Sequence, residues 1–434
     1  MTLLCQKNSY LRDFKDAAVK SVQRGKIALN GSSKLTDGYD VVLEDTIFFP
    51  EGGGQPSDVG TLDSHFVSSV RRDGEQAVLF IADECAKKDD GGDVPPPFKV
   101  GDKPVQKIDW TKRFDHMQQH SGQHLITAIA LKLFNLETTS WYLGVDSSFI
   151  EMDAKEISDE TMEVIEEKVN EKIRERVDVL VTYREPDNLG DVRFRMDVPE
   201  ALRGGPVRVV EISDVDKNTC CGTHVVNLGD LQAIKLLGTA KGNKGKTQLH
   251  FVAGGRVLKY LGLAVKREKS LTALLKCTPE NLEPMVDKAQ KTVKRLHKNC
   301  VQCLRDLGKL EAERLLQTPE DALPTFITLH RKEGEFDFIS SFISSIGTNL
   351  LGGRLFLISI ADDSLTAKSP GQIMLAGEEE YVKKAADIAI NQFAAKGSVQ
   401  QAKFRGRVLD VSKLPKLEEA IRSTFLKNVP NYKE

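Results

Sequence analysis

Residues 1 to about 112 alternate short apolar runs, such as YDVVLEDTIFF and QAVLFIA, with turn signals, and no helical period persists among them. Alternation over short runs predicts strands, so 1–112 is expected to form a small β-rich barrel or sandwich. The stretch KKDDGGDVPPPFKVGD reads as a surface loop between strands. From about 113 the period becomes helical, with Leu125, Ala128, Ile129 and Leu133 turned toward a core. A second helix is expected near Ser158, where Met162, Ile165, Val169 and Ile173 form one stripe. Strand-like runs follow in VDVLVTYRE, PVRVVEIS and LQAIKLLG, which predicts a mixed α+β domain over 113–265.

Further on, Val286, Ala289, Val293, Leu296, Cys300, Cys303, Leu307 and Leu310 recur in alternating steps of three and four. That is the period of a helical hairpin arm or short coiled coil, assigned to 266–317. Cys300 and Cys303 form a CxxC pair, but both fall on the apolar stripe and are expected to be core thiols. Beyond 318, strands in TFITLHR, RLFLISIA and GQIMLAG alternate with helices such as EEEYVKKAADIAINQFAAK, predicting a C-terminal α/β domain over 318–434.

Composition narrows the setting. With 61 basic and 63 acidic residues the chain is nearly neutral, so any nucleic acid must meet local clusters. The candidates are Lys241, Lys244 and Lys246 in TAKGNKGKTQ, and Lys403, Arg405 and Arg407 in AKFRGRV. No run approaches the length of a membrane span, and the N-terminus lacks a cationic lead before an apolar stretch. Seven scattered cysteines do not resemble a disulfide framework. A cytoplasmic protein with reduced thiols is expected.

The chemistry concentrates in histidine and cysteine. His120 and His124 in QQHSGQHL are one helical turn apart and can reach one ion. Cys220 and His224 in TCCGTH follow about a hundred residues later, and together these are ligand types that tetrahedral Zn²⁺ prefers. Spacing leaves two choices open, because His116 continues the histidine stripe and Cys221 neighbours Cys220. A metalloprotease would need glutamate directly after the first histidine, where Ser121 stands. A closed structural zinc is compatible with the same four residues. PEGGGQPSDVG places Gly52, Gly53 and Gly54 before Gln55, directly after an expected strand TIFF. Such glycines could bring backbone N–H groups to an oxygen or could form a plain hairpin turn, and the P-loop lysine is missing.

GGGQPSDVG, QHSGQHL and TCCGTHV occur in the order and rough spacing of the editing half of alanyl-tRNA synthetase and of the free-standing editing proteins called AlaX. The chain resembles the long, eukaryotic-type form of that family, strongly over about 40–255 and more loosely beyond. The resemblance implies an N-terminal β-barrel, a zinc-containing editing domain shared with threonyl-tRNA synthetase, a coiled arm and a synthetase-like tail. It implies one Zn²⁺ on His120, His124, Cys220 and His224, leaving His116 and Cys221 outside. Cys221 departs from many members, and the glycine-dense loop of the tail is thinned to AAKGSVQQAKFRGRV.

The implied activity is hydrolysis, in trans, of tRNA(Ala) mischarged with serine or glycine. A pocket for alanine cannot exclude glycine and rejects serine only by roughly 10²-fold, so a second sieve is needed. Gln55 is expected to orient the ester or terminal adenosine, and Thr139, Ser140 and Trp141 to line the side-chain pocket. Two other readings are a zinc-structured, non-catalytic tRNA-binding adaptor and an editor of Ser-tRNA(Thr). Monomer and homodimer both remain open.

Overall fold

The computed structural model describes residues 2–29, 34–83, 95–185, 188–190, 192, 206–332, 334–361, 369–430 and 432–434. The first half of the expected loop KKDDGGDVPPPFKVGD, residues 87–94, lies outside them. The chain divides into two compact units, Met1–Glu268 and Lys269–Glu434.

The first unit opens with one helical turn, α1 (Leu4–Lys7). Strands β1 (Asp13–Phe14), β2 (Val19–Ala28), β3 (Leu35–Leu43), β4 (Gly60–Leu62), β5 (His65–Asp73), β6 (Gln76–Ala82) and β7 (Gln106–Ile108) follow. They form an antiparallel sheet in the order β1-β7-β4-β5-β6-β3-β2, over a core that includes Val41, Leu62, Val67 and Leu79. The expected barrel does not close, since among the described residues β1 and β2 are not paired with each other. Closure needs a continuous ladder. β1 has two residues to offer, and Val19 of β2 instead bonds the backbone of Gly101 and Asp102.

TIFF is not a strand. Ile47, Phe48 and Phe49 are buried in irregular backbone. Their N–H groups find side chains rather than a ladder: Ile47 N donates to Gln106 Oε1 at 3.1 Å and Phe49 N to Asp58 Oδ2 at 2.6 Å. Such pairing is what permits backbone outside secondary structure to be buried.

The long helix α2 (Trp110–Phe134) starts earlier than its apolar period suggested, because Asp109 caps it by accepting from Lys112 N. Leu125, Ala128 and Ile129 are buried, whereas Leu133 is exposed on the last turn before Asn135 ends the helix at φ 53°. β8 (Thr138–Leu143) and β9 (Ser148–Met152) lead to α3 (Asp159–Arg174), which Ser158 caps and which buries Ile165, Val169 and Ile173. β10 (Val179–Arg184), β11 (Val207–Ile212) and β12 (Asp216–Thr219) make a three-stranded antiparallel sheet. β13 (Ile234–Lys241) and β14 (Thr247–Ala253) join the earlier pair in the order β13-β14-β9-β8. α2, α3 and both smaller sheets share one core. The unit boundary falls within α4 (Gly255–Leu275).

In the second unit, α5 (Leu282–Leu316) precedes β15 (Phe326–Arg331), α6 (Phe336–Leu351), β16 (Leu355–Ile360), β17 (Gly371–Gly377), α7 (Glu379–Phe393), β18 (Lys396–Gln400), β19 (Lys403–Val408) and α8 (Leu414–Thr424). The sheet runs β15-β16-β17-β19-β18, with β15 and β16 parallel and the rest antiparallel. The tail segment expected as a thinned loop is therefore largely the β18–β19 hairpin. Ala312 of α5 is buried against α6, with Leu304, Leu307 and Leu315 packed beside it. A Cβ on Gly308 would stand 2.6 Å from the Phe338 carbonyl oxygen, so the two helices lie close. Cys300 and Cys303 are exposed, not core thiols. The row that meets α6 passes through Leu304, Leu307, Gly308, Ala312 and Leu315, and shares Leu307 with the predicted seam.

Candidate metal centre

α2 is buried continuously from Met117 to Ala130, polar residues included. Polar side chains in that position must be paired internally. Gln119 pairs with both backbone groups of Ala253, donating at 2.9 Å and accepting at 3.0 Å. Gln118 donates to Asp230 O at 2.7 Å and accepts from Gly255 N at 3.2 Å. These bonds hold the face that carries His120 and His124 against β14 and its flanks.

Cys220 and His224 follow β12 on an irregular turn. The side-chain donor atoms of His120, His124, Cys220 and His224 all lie within 4.8 Å of one another, a cluster able to hold a metal ion. Cys220 Sγ is 3.4 Å from His120 Nε2 and 3.3 Å from His224 Nε2. His116 and Cys221 are not in the cluster. Burial lowers the His116 pKa, and its Nδ1 has no hydrogen-bond partner among the described residues. Cys221 is exposed, and a Cβ on Gly53 would stand 2.9 Å from its Sγ.

The glycine loop reaches this cluster through Gln55. Gly52 and Gln55 exchange backbone hydrogen bonds around Gly53 and Gly54, at φ 60° and 77°. Positive φ at both central positions is the hairpin turn that glycine suits. It sends Gln55 inward, where the residue is fully buried. Gln55 Oε1 lies 2.9 Å from His120 Nδ1 and accepts from Thr223 N at 3.0 Å, while Nε2 donates to Thr223 Oγ1 at 2.7 Å. The amide is committed to protein partners. With Nδ1–H of His120 donating to Gln55, Nε2 is left as the lone-pair nitrogen facing the cysteine sulfur.

Ser121 plays the matching part for His224. Its Oγ lies 3.1 Å from His224 Nδ1 and accepts from Val225 N at 3.1 Å. Gly222 N donates to Cys220 Sγ at 3.4 Å. A Cβ on Gly222 would stand 2.2 Å from His120 Cε1, so this position requires glycine by close approach. Behind the loop, fully buried Arg113 of α2 pairs with Asp58 and donates to Ser9 O at 2.9 Å and Ile47 O at 2.6 Å.

The other expected residues divide. Trp141 comes against the glycine loop, since a Cβ on Gly54 would meet its Nε1 at 2.4 Å. Thr139 and Ser140 instead hydrogen-bond Glu151 Oε1, at 3.1 and 3.3 Å. Glu151 also accepts from Asn243 N at 3.3 Å and lies 4.0 Å from Lys246 Nζ, and its pKa is lowered, first by the Asn243 amide. Lys241 ends β13 and Lys244 and Lys246 lie in the connection to β14, with Lys241 and Lys244 exposed. In the second unit Lys403, Arg405 and Arg407 alternate with buried Phe404, Gly406 and Val408, so all three leave β19 on its exposed side. Arg405 stacks 3.6 Å from the Phe336 ring centroid.

Sequence reasoning missed Thr223, Ser121 and the Arg113–Asp58 pair. Thr223 lies inside CGTH and Asp58 inside GGGQPSDVG, so both stood within singled-out motifs. In the sequence Ser121 signals only the absence of a protease glutamate.

A family profile described as the threonyl and alanyl tRNA synthetase second additional domain matches residues 207–250, which contain Cys220 and His224. The mouse alanyl-tRNA editing protein Aarsd1 is 41% identical over 417 residues, covering 95% of each chain. The Xenopus laevis alanyl-tRNA editing protein Aarsd1-B is 41% identical over 430 residues, covering 98% of each. The Pyrococcus horikoshii alanyl-tRNA editing protein AlaX-L is 28% identical over 322 residues, covering 72% of each. Identity of this order along nearly the whole length places the chain in the alanyl-tRNA editing protein family.

Proposed function

We propose that this chain removes the amino acid from mischarged tRNA(Ala), chiefly Ser-tRNA(Ala) and also Gly-tRNA(Ala), by hydrolysing the aminoacyl ester in trans in the cytoplasm. The observation that carries the reading is the four-donor cluster beside the glycine loop, in a chain whose relatives are named alanyl-tRNA editing proteins. One Zn²⁺ fits the donors. Zn–S near 2.3 Å and Zn–N near 2.0–2.1 Å imply tetrahedral S···N edges of about 3.5 Å. Two of the S···N separations are 3.4 and 3.3 Å.

His120, His124, Cys220 and His224 would hold the ion, which supplies Lewis-acid polarisation when bound. Gln55 and Ser121 fix the tautomers of His120 and His224 by engaging their Nδ1 atoms. Gly53 and Gly54 keep the loop narrow enough to lie against Cys221 and Trp141. Trp141, against Gly54, would wall the approach to the cluster, and Thr139 and Ser140, held by Glu151, would line the same strand beside it. Lys241, Lys244, Lys403 and Arg405 are surface cations to which tRNA phosphates would bind.

The test is incubation of the full-length protein with radiolabelled Ser-tRNA(Ala), Gly-tRNA(Ala), Ala-tRNA(Ala) and Ser-tRNA(Thr), beside a Cys220→Ala variant checked for folding. Loss of serine from tRNA(Ala) with alanine spared, absent in the variant, is expected. Survival of every ester in folded, zinc-loaded protein would replace this reading with the tRNA-binding adaptor. A four-protein-donor set suits that structural role too. Preferential cleavage of Ser-tRNA(Thr) would reassign the substrate.

A further inference from the structure

The first twelve residues carry none of the motifs above, yet they make a row of contacts to the turn that presents Cys220 and His224. That turn has no regular secondary structure. Its carbonyls are held by side chains from elsewhere: Cys220 O accepts from Arg208 Nη1, Cys221 O from Gln6 Nε2 at 2.7 Å, and His224 O from Ser9 Oγ at 2.9 Å. Val226 N then donates to the Tyr10 hydroxyl at 3.3 Å. Three successive anchor points on the turn thus come from one eight-residue stretch.

The stretch is itself pinned. Gln6 is buried, and its Oε1 accepts from Leu3 N at 3.1 Å, which orients the amide so that Nε2 faces Cys221. Leu4 N donates to Asp45 Oδ1 at 2.9 Å and Cys5 N to Thr46 O at 3.2 Å, tying the stretch to the chain that leads into the glycine loop. Ser9 O accepts from Arg113 Nη1 of α2 at 2.9 Å. Gln6 O accepts from Arg208 Nε at 3.3 Å. The N-terminal stretch therefore touches the turn that carries Cys220 and His224, the helix that carries His120 and His124, and the chain that leads into the glycine loop.

We propose that residues 3–10 form a positioning strap for the metal site, with Gln6 and Ser9 as positioning residues that hold Cys220 and His224 through the turn's carbonyls. The proposal rests on the metal reading of the cluster. An irregular turn without these anchors has more conformations open to it, and each one that separates Cys220 from His224 costs the ion a ligand. The strap acts on retention of the ion and touches no substrate.

The experiment uses zinc-loaded full-length protein and variants Gln6→Met, Ser9→Ala, the double variant and Ser9→Thr. It follows transfer of zinc to a chromophoric chelator, the absorption spectrum of the cobalt-substituted proteins, and melting of the metal-free forms. Faster zinc transfer in the double variant, on the order of tenfold, is expected. An altered cobalt spectrum, unchanged metal-free melting and recovery in Ser9→Thr should accompany it. Transfer within twofold of the parent overturns the strap, as does faster transfer that only tracks a lowered metal-free melting temperature. A parent that binds no zinc overturns both the strap and the metal reading. A zinc-binding parent that spares every ester overturns the editing reading alone, and the strap variants still decide the strap.

Discussion

The two units bury different things. In the second, the buried polar side chains among the described residues are Thr325 and Ser359, and its two cores are otherwise aliphatic and aromatic. In the first, Gln6, Gln55, Asp58, Arg113, Gln119, His120, Ser121, His124, Thr223 and His224 are all buried together with a similar apolar complement. Burying a polar group costs free energy unless it is paired, and burying a charge costs more. A unit that needed only stability would follow the second pattern. The first spends much of its interior on a hydrogen-bonded scaffold around four donor atoms, which is how an interior organised for chemistry differs from one organised for packing.

Metal removal should break this comparison most visibly. Chelation of zinc-loaded protein is expected to lower the melting transition of the first unit and leave that of the second in place, followed by calorimetry. Apparent zinc-binding energies of structural sites reach about 10–16 kcal/mol, so the shift should be large. Equal movement of both transitions would show that the units are not separately organised. Next in size, Arg113→Met leaves Asp58 charged and unpaired in the interior and should destabilise the first unit by about 3–5 kcal/mol in denaturant. Addition of Asp58→Leu should recover much of that loss.

Gln55→Ala sharpens the contrast at the ligands themselves. It frees the tautomer of His120 and should weaken zinc binding by roughly 10- to 100-fold, measured by chelator competition, with far-ultraviolet circular dichroism unchanged. The smallest effect belongs to His116. Burial lowers its pKa from 6.5, so the unfolded chain takes up this proton first as pH falls. The stability contributed by the neutral ring is complete above about pH 6.5 and is lost as pH descends toward the lower folded value. His116→Asn should flatten the loss of metal-free stability between pH 7 and 5.5, within about the range that one histidine can contribute.

Parts of this were legible in the sequence because they are local. Ser158 before Met162, Ile165, Val169 and Ile173 marks a capped amphipathic helix with no outside information. The strands of the second unit announce themselves through FITLHR, LFLISI and GQIMLAG. Other features were not legible because a distant partner decides them. TIFF has the composition of a strand, but Gln106 and Asp58 take its N–H groups. Cys300 and Cys303 have the period of a core seam, but α6 packs on a row that shares Leu307 with it and leaves both cysteines exposed. Among the described residues the barrel does not close, and β1 offers only two residues, a length that alternation cannot reveal.

By itself, the sequence determined the donor types, their helical and turn spacing, and the glycine loop, because each is a property of a few consecutive residues. It also carried the resemblance that the relatives bear out. Only tertiary structure shows the donors meeting, as the resemblance implied. Spacing left His116 and Cys221 as rivals, and the fold gathers His120, His124, Cys220 and His224. It also made Gln55 the partner of His120 and of Thr223, a residue 168 positions away in the chain. Hydrogen bonds of that range leave no period in the sequence, since their geometry exists only once separate elements have packed.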